Sequence, residues 1–427
     1  MVGIVMFGGM LLLMLLGVPI LFAIGIAAMA GVLTVPGGVP WIVVPSSIFN
    51  GMNSFPLMAI PFFVLAGELM NRGGISRRLV EFAVALIGHI RGGLGHANVV
   101  ANAMMSAVSG SALANIAAVG RVMIPEMERK GYERGFATGI TVSSSLLGPI
   151  IPPSITMVIY AVTAGASIGG LFLAGVVPGL MIAGLLMLAI WFHARRRGYP
   201  VNERFSFRAV LRTGREAIIA LMMPLIILGG IFGGVMTPTE SAAVAVAYAL
   251  FVGMFVFREI KLRDVAEIFA STGVLMGFIL LIVGAARIFS DLLAQEAVPQ
   301  AIAVWVLSLT SNEILLILLI NLMLLVVGCL MDTTAAIIIL VPILLPIATA
   351  LGIDPLLFGV MMCINLVIGL ATPPVGVALY LGADVAKLRV EQVIRFTAPL
   401  LLIHIAVLMA ITFVPAISLS LPRALGY

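Results

Sequence analysis

Long apolar stretches alternate along the whole chain with short segments rich in charged residues, Gly or Pro. Apolar stretches of about 20 residues are long enough to cross the hydrocarbon core of a membrane as helices. The pattern therefore predicts an all-α polytopic membrane protein with five spans in each half. The predicted spans lie at residues 1–17, 18–35, 55–70, 132–162, 167–194, 217–236, 240–257, 265–289, 355–381 and 393–417.

Two further segments in each half do not fit a single crossing. Residues 79–90 would form only about 18 Å of helix, which predicts an arm helix along the membrane surface, with a counterpart at residues 291–310. Residues 94–128 and 314–349 are apolar but interrupted by small and polar residues, which predicts a re-entrant hairpin in each half. The hairpin tips are predicted at residues 109–111 and 328–334.

Two of the predicted spans contain paired prolines, in the stretches TVSSSLLGPIIPPSIT (141–156) and INLVIGLATPPVGV (364–377). Proline removes a helical hydrogen-bond donor, and the residue before it avoids helical angles, so both helices must break at membrane depth. Broken backbone is tolerated there only where protein or a water-filled cavity surrounds it. Two broken helices at corresponding positions of two halves are typical of a transporter's binding site.

Gly and Pro positions recur between the halves at a constant offset of 221 residues, although the residues between them match poorly. Because each half has an odd number of spans, the halves have opposite orientations, which predicts two inverted-topology repeats. We assign residues 1–197 to the first repeat, 198–216 to a cytoplasmic linker and 217–427 to the second repeat, with a loop at 36–54. The matched pairs include Pro125/Pro346, Gly148/Gly369, Pro152/Pro373 and Pro153/Pro374, and Ser111 and Ser144 fall on Asp332 and Asn365.

The distribution of positive charge supports one orientation, because Lys and Arg concentrate in cytoplasmic loops. Placing the arginine cluster at 195–197 in the cytoplasm puts nearly all of the 23 Lys and Arg residues there. Arg287 and Arg423 then lie outside, and Arg121 lies within the first hairpin. In this topology the first hairpin enters from the cytoplasm, the second enters from outside, and both termini lie outside.

The composition argues against several other classes of protein. The chain is 62% hydrophobic and only 10% charged, which leaves too few polar groups to solvate a soluble domain. Its net charge of +5 follows from the cytoplasmic loops and does not indicate nucleic-acid binding. The sequence has no HExxH or Walker motif, and its only lysines, Lys130, Lys261 and Lys387, lie in predicted loops. These features disfavour an intramembrane enzyme, ATP-driven transport and a proton-pumping subunit.

The helix breaks supply the chemistry of a sodium site. An unwound helix frees backbone carbonyls, which are hard oxygen ligands suited to Na⁺, and the half-helix that restarts points its amide groups at an anion. Each half is therefore predicted to hold a coupling ion between its hairpin tip and its break, giving two or more Na⁺ in all. The predicted ligands are Gly328, Gly369, Thr372 and Val375 in the second half, and Ser109, Gly148, Ile151 and Ser154 in the first.

The substrate is expected between the two hairpin tips. Asp332 is the strongest candidate, because a carboxylate at membrane depth is functional by default; its alternative role is to cap the second arm of its hairpin. Small polar residues in membrane helices can also serve only close packing, and Glu68 is expected to pair locally near an interface. The predicted substrate contacts are Ser111, Asn115, Ser144, Asp332, Thr333 and Asn365.

Five short motifs make the chain similar to a known family of transporters. They are SGSALANIA (109–117), GPIIPPS (148–154), TPTESAAV (237–244), MDTTA (331–335) and ATPPVG (371–376). With these motifs, essentially the whole chain resembles the large membrane (M) subunit of the TRAP transporters, the tripartite ATP-independent periplasmic carriers of the DctM-like family.

The resemblance implies an elevator-type secondary transporter of the bacterial inner membrane, coupled to Na⁺ and not an enzyme. It also implies a small four-helix membrane subunit (Q type) and a periplasmic substrate-binding protein (P type) as partners, with both termini of this chain periplasmic. Family substrates include C4-dicarboxylates, sialic acids and sugar acids, among which the sequence does not choose. A stand-alone sodium–carboxylate symporter with the same hairpins and no binding protein stays open as the alternative.

Overall fold

The computed structural model describes residues 2–35, 37–199, 205–298, 300–302, 304 and 312–427, and every regular element among them is helical. A 3₁₀ turn at Phe55–Met58 precedes the fourth helix below, and a π turn at Val252–Val256 extends the twelfth. In chain order the helices are α1 (Val2–Leu15), α2 (Ile20–Thr34), α3 (Val43–Met52), α4 (Ala59–Arg72), α5 (Ile75–Ile87), α6 (Gly93–Ser109), α7 (Ala112–Arg129), α8 (Arg134–Ser145), α9 (Ile155–Ala164), α10 (Ile168–Arg197), α11 (Phe207–Phe232), α12 (Pro238–Phe251), α13 (Leu262–Gln295), α14 (Glu313–Leu330), α15 (Thr333–Ala350), α16 (Pro355–Leu370), α17 (Val377–Ala386), α18 (Val390–Phe413) and α19 (Ala416–Ala424).

Seven helices of the described chain are long and apolar enough to cross a membrane, and the bent pair of α3 and the helix ending at Arg72 would make an eighth. Five of the seven coincide with predicted spans, and the other two, α14 and α15, are the arms of the predicted second hairpin. The remaining predicted spans consist of the shorter helices α1 and α2 and of paired half-helices. The chain is therefore a multi-pass helical membrane protein, as the apolar pattern predicts.

Two helices joined by a short turn occur at each predicted hairpin, and a helix break occurs at each predicted position; that the hairpins are re-entrant stays a prediction. Helices α6 and α7 join at Gly110, whose φ of +62° is in the left-handed region that glycine adopts without a steric penalty. Helices α14 and α15 join at Met331 and Asp332. The first break separates α8 from α9, and the second separates α16 from α17.

Two segments that were predicted to lack structure are partly helical. The prediction of a loop at 36–54 is wrong over the residues that form α3. This segment is helical because one face of it packs on α13. A Cβ atom on Gly284 of α13 would lie only 2.9 Å from Ile48 Cγ2. The linker predicted at 198–216 ends early, because α11 begins at Phe207. Ser206 caps that helix by accepting a hydrogen bond from the backbone N–H of Ala209 at 3.3 Å.

The two predicted arm helices differ in outcome. The arm predicted at 79–90 is α5, which begins at Ile75 directly after Gly74. For the arm predicted at 291–310, the predicted start is wrong, because residues 291–295 belong to α13, which continues without interruption to Gln295. Residues 299, 303 and 305–310 of that prediction lie outside the described residues.

The two halves of the chain interleave in the hairpin region. The second arm of the first hairpin, α7, packs on α17 after the second break, and the second arm of the second hairpin, α15, packs on α9 after the first break. The first arms pack within their own halves, α6 on α8 and α14 on α16. The hairpins and broken helices are therefore held together by contacts that cross from one half to the other, and we call them the hairpin unit.

Candidate functional site

A cavity of about 640 Å³ is lined by both hairpin tips. Residues 109–114 of the first tip and 332–335 of the second line it, together with Pro149, Ile155 and Thr156 from the first break. Helices α4 and α13 close the opposite side. Two tips that lie in different halves of the sequence thus share one cavity.

The first tip is held by hydrogen bonds among small polar side chains. Ser109 Oγ donates to Asn115 Oδ1 (2.6 Å), and Asn115 Nδ2 donates to Ser106 Oγ (3.0 Å). Ser109 and Ser111 line the cavity, whereas Asn115 is fully buried and does not. Ser109 and Ser111 are therefore placed to contact a ligand, and Asn115 fixes the shape of the tip beneath them.

The first tip lies with its backbone directly against the first break. A Cβ atom on Gly148 would lie 2.7 Å from the carbonyl carbon of Ser111, and one on Gly110 would lie 2.9 Å from the carbonyl oxygen of Pro153. Only glycine permits such an approach, because it has no Cβ atom. The two glycines therefore bring the carbonyl groups of the tip and of the break together.

Carbonyl oxygens at the first break are free of backbone hydrogen bonds. Those of residues 150–153 accept none in the described chain. The hydroxyls of Ser154 and Thr156 both donate to the carbonyl oxygen of Pro149, at 2.6 and 3.1 Å. Of the four predicted ligands of the first sodium site, Ser109 lies on the tip, Gly148 contacts the tip at Ser111, and Ser154 holds the break. The side chain of Ile151 lies against Gly179 on α10, and binding of Na⁺ by this set stays a prediction.

The second hairpin also touches the helix break of its own half. A Cβ atom on Gly328 would lie 2.9 Å from the carbonyl oxygen of Leu366, and one on Gly369 would overlap the backbone of Gly328. Thr372 Oγ1, one turn later, donates to the carbonyl oxygen of Ile368 at 2.8 Å. Gly328 and Gly369 are therefore in direct backbone contact, with Thr372 close by along the chain.

Val375 lies apart from this contact. Its side chain is 42% exposed and lines a surface groove of about 420 Å³ with Arg389 and Glu391. The carbonyls of residues 370–375 accept no backbone hydrogen bond in the described chain. Of the second set of predicted sodium ligands, Val375 can therefore contribute only its backbone.

Ser144 and Asn365 are buried and do not line the cavity. Asn102 Nδ2 donates to Ser144 Oγ (2.9 Å) in the first half, and Asn365 Nδ2 donates to Asn321 Oδ1 (2.8 Å) in the second. Each bond joins the first arm of a hairpin to the broken helix of the same half. Sequence reasoning missed Asn102 and Asn321, although a polar amide inside an apolar run is a signal for such a bond.

Asp332 and Thr333 both line the cavity at the second tip. Asp332 Oδ1 accepts a hydrogen bond from the backbone N–H of Thr334 at 2.8 Å, so the carboxylate caps α15. The side chain is nevertheless exposed to the cavity, whereas Thr333 is buried. The carboxylate is therefore positioned both to cap the helix and to meet a ligand.

One ion-pair cluster on the far wall was not predicted as part of the site. Arg72, at the end of α4, lines the cavity with Glu68 and Asn71. Its Nε lies 3.0 Å from Glu68 Oε1, and its Nη1 lies 3.1 Å from Glu267 Oε1 on α13. The expected local pairing of Glu68 is confirmed, but the spacing along the chain gave no sign that the pair faces the cavity.

The potential ligands at both tip–break contacts are carbonyl, hydroxyl and amide oxygens. No group of three or more His, Cys, Asp or Glu side chains that could hold a metal occurs in the part of the chain that the structure describes. Oxygen donors of this kind suit hard cations, whereas imidazole and thiolate suit transition metals. The donor chemistry at both contacts therefore fits an alkali-metal ion such as Na⁺.

Comparison with known proteins agrees with this architecture. Residues 7–417 match the family model described as "Tripartite ATP-independent periplasmic transporter, DctM component". The chain is 40% identical to the C4-dicarboxylate TRAP transporter large permease protein DctM of Rhodobacter capsulatus, with 99% of both chains covered. It is 41% identical to the sialic acid TRAP transporter large permease protein SiaM of Vibrio cholerae, with 98% of both covered.

A solved structure shares the fold at low sequence identity. The YdaH transporter of Alcanivorax borkumensis superposes with a TM-score of 0.63 over 90% of both chains, at 16% identity. At this identity the likeness concerns the fold alone. The family match over nearly the whole chain and the relatives at 40% identity or more settle the membership. The chain belongs to the DctM family, the large permease components of the tripartite ATP-independent periplasmic (TRAP) transporters.

Proposed function

We propose that the chain conducts an organic acid across the bacterial inner membrane as the permease of a Na⁺-coupled importer. The observation that carries this proposal is the cavity shared by the two hairpin tips, whose volume of about 640 Å³ suits a small acid. Two relatives are named for a C4-dicarboxylate and for sialic acid, both of which carry carboxylates. We take a carboxylate-bearing acid of this size as the substrate, in contact with Ser111, Asp332 and Thr333.

Sodium coupling is supported by the two tip–break contacts. In the first half the unbonded carbonyl of Pro153 lies against the tip at Gly110, and in the second half unbonded carbonyls follow directly after Gly369, which contacts Gly328. A Na⁺ ion at each contact would supply positive charge beside the cavity and offset the charge of an entering anion. Uptake should therefore rise sigmoidally with Na⁺ concentration and need no ATP.

An elevator movement is supported by the interleaved packing of the two halves. The pairs α7–α17 and α15–α9 cross between halves, so one hairpin cannot shift far without carrying the other break with it. Helices α4, α11, α12 and α13 pack chiefly on one another or on α2, α3 and α5. We propose that the hairpin unit moves as one body against these helices, and that the halves are inverted repeats.

Two partners are proposed from the family membership. The family description is of a tripartite transporter, which calls for two components besides this one. We propose a small membrane subunit that packs beside this chain and a periplasmic binding protein that delivers the acid to the cavity.

Uptake into proteoliposomes tests the proposal. The chain would be reconstituted with its small subunit, supplied with its binding protein, and offered radiolabelled succinate or N-acetylneuraminate. Uptake of one of these should need all three proteins and a Na⁺ gradient. Undiminished uptake when K⁺ replaces Na⁺ under a proton gradient would exclude sodium coupling, and full uptake without the binding protein would favour a stand-alone symporter.

A further inference from the structure

Arg72 is the only cationic residue that lines the cavity among the described residues. It ends α4, five residues after Gly67, where that helix touches the first hairpin tip: a Cβ atom on Gly67 would lie 3.4 Å from Ser109 Cα. Five residues of α-helix rise about 7.5 Å. An arginine side chain at this position is therefore long enough to bring its guanidinium to the level of the first tip.

The guanidinium of Arg72 is held by carboxylates of the protein itself. Nε binds Glu68 at 3.0 Å and Nη1 binds Glu267 at 3.1 Å. A guanidinium presents five N–H donors in a planar fork that matches carboxylates. Arg72 therefore binds carboxylates in this structure and has further N–H donors beyond the two that it uses.

Glu267 is the more easily displaced of the two carboxylates. Glu68 lies one turn before Arg72 on the same helix, whereas Glu267 reaches it from α13. The side chain of Glu267 is 67% exposed, against 35% for Glu68. An incoming carboxylate can thus replace Glu267 while Glu68 keeps the guanidinium in place.

Arg72 supplies the positive side-chain charge that the cavity offers to an anionic substrate in the described chain. Apart from Arg72, the ionisable residues that line it in the described chain are Glu68 and Asp332, both acids. Like charges repel strongly where few water molecules screen them. Without the Arg72 guanidinium, the wall opposite the hairpin tips would therefore disfavour an organic anion.

We infer that Arg72 binds the carboxylate of the substrate on the cytoplasmic side of the cavity, in exchange for the carboxylate of Glu267. This inference rests on the proposed function, and on the topology that places the end of α4 at the cytoplasm. Glu267 then competes with the substrate, which lowers the affinity on the release side. In this exchange Arg72 binds the substrate, and Glu267 promotes release of the acid by competing for Arg72.

Ligand binding to the purified chain tests this exchange without any need for transport. The melting temperature would be followed while sodium succinate or sodium N-acetylneuraminate is titrated in, with NaCl holding the Na⁺ concentration and ionic strength constant. Arg72→Gln should raise the half-saturating concentration at least tenfold, and Arg72→Lys should raise it less. Glu267→Gln should lower it severalfold, because the competing carboxylate is gone.

Arg77→Gln is the matched control, because Arg77 forms a comparable exposed pair with Glu81 on α5 and does not line the cavity. It should leave the half-saturating concentration unchanged. The inference is overturned if neither acid stabilises the wild-type chain, if Arg72→Gln binds as the wild type does, or if Glu267→Gln binds more weakly. Absence of uptake by the complete wild-type complex would instead overturn the proposed function, while binding that depends on Arg72 would still support a carboxylate site.

Discussion

The hydroxyl of Tyr160 lies 2.7 Å from the carbonyl oxygen of Pro355, to which it donates a hydrogen bond. Tyr160 is on the half-helix that follows the first break, and Pro355 begins the helix that leads into the second. The ring of Tyr160 also lies against Gly359, where a Cβ atom could not be accommodated. This pair therefore joins the two broken helices directly, across 195 residues of sequence.

Replacing Tyr160 with Phe tests whether the two halves move together. The change leaves the Pro355 carbonyl without its donor, which should cost about 1–3 kcal/mol of stability. If the hairpin unit moves as one body, transport should also slow, because the two broken helices lose a direct link. Melting temperature and initial uptake rate would be measured on the same preparation.

Tyr248→Phe is the control for this change. Tyr248 makes the same type of bond, 2.6 Å to the Ile219 carbonyl oxygen, between α12 and α11 outside the hairpin unit. It should cost similar stability and leave the transport rate per folded molecule unchanged. Equal slowing by both substitutions would argue against a special role for the Tyr160 link.

Gly369→Ala should disrupt the second proposed sodium site. The new methyl group would overlap the backbone of Gly328, so the second hairpin tip must shift away from the break. Overpacking of this kind typically costs about 1–3 kcal/mol, and Na⁺-dependent uptake should fall steeply. Gly184→Ala is the control, because nothing lies within 4 Å of its Cβ position. A Gly369→Ala protein with an unchanged Na⁺ dependence would remove the Gly328–Gly369 contact from the ion site.

Asp332 should be needed for transport beyond its role as a helix cap. Asp332→Ala loses both the cap and the carboxylate, at a cost of about 1 kcal/mol for the cap, and should leave the chain folded but nearly inactive. Asp332→Asn keeps a capping oxygen for the Thr334 N–H and separates the two roles. If capping alone matters, the Asn protein will retain most of its uptake; we expect it to be as impaired as the Ala protein.

Cysteine labelling tests the proposed topology. Cysteines at Ser46 on α3 and at Ser420 on α19 should react with an impermeant thiol reagent added to intact cells. A cysteine at Thr213, in the first turns of α11, should react only after the membrane is opened. Both native cysteines are buried, which keeps the background low. Reaction at Thr213 in intact cells would contradict the orientation derived from the positive charges.

The sequence by itself determined the elements that depend on local chemistry. Pro152–Pro153 and Pro373–Pro374 remove helical donors wherever they stand, so the two breaks could be placed from the residues alone. The hairpin turns are equally local, because Ser111 and Asp332 cap the helices that follow them. Where tertiary contacts supplied the stabilisation, as for α3 packed on α13, the sequence pattern failed.

Only the tertiary structure decided which polar residues share the cavity. Apolar periodicity shows which face of a helix is buried, but not which helix that face meets. Ser144 and Asn365 thus belong to hydrogen bonds between helices, whereas Ser111 and Asp332 reach the cavity. Arg72 could not be assigned to the cavity from the sequence, because α4 meets the first hairpin tip only in the folded chain. The interleaving of the two halves likewise follows from packing between residues far apart in sequence, which no local pattern records.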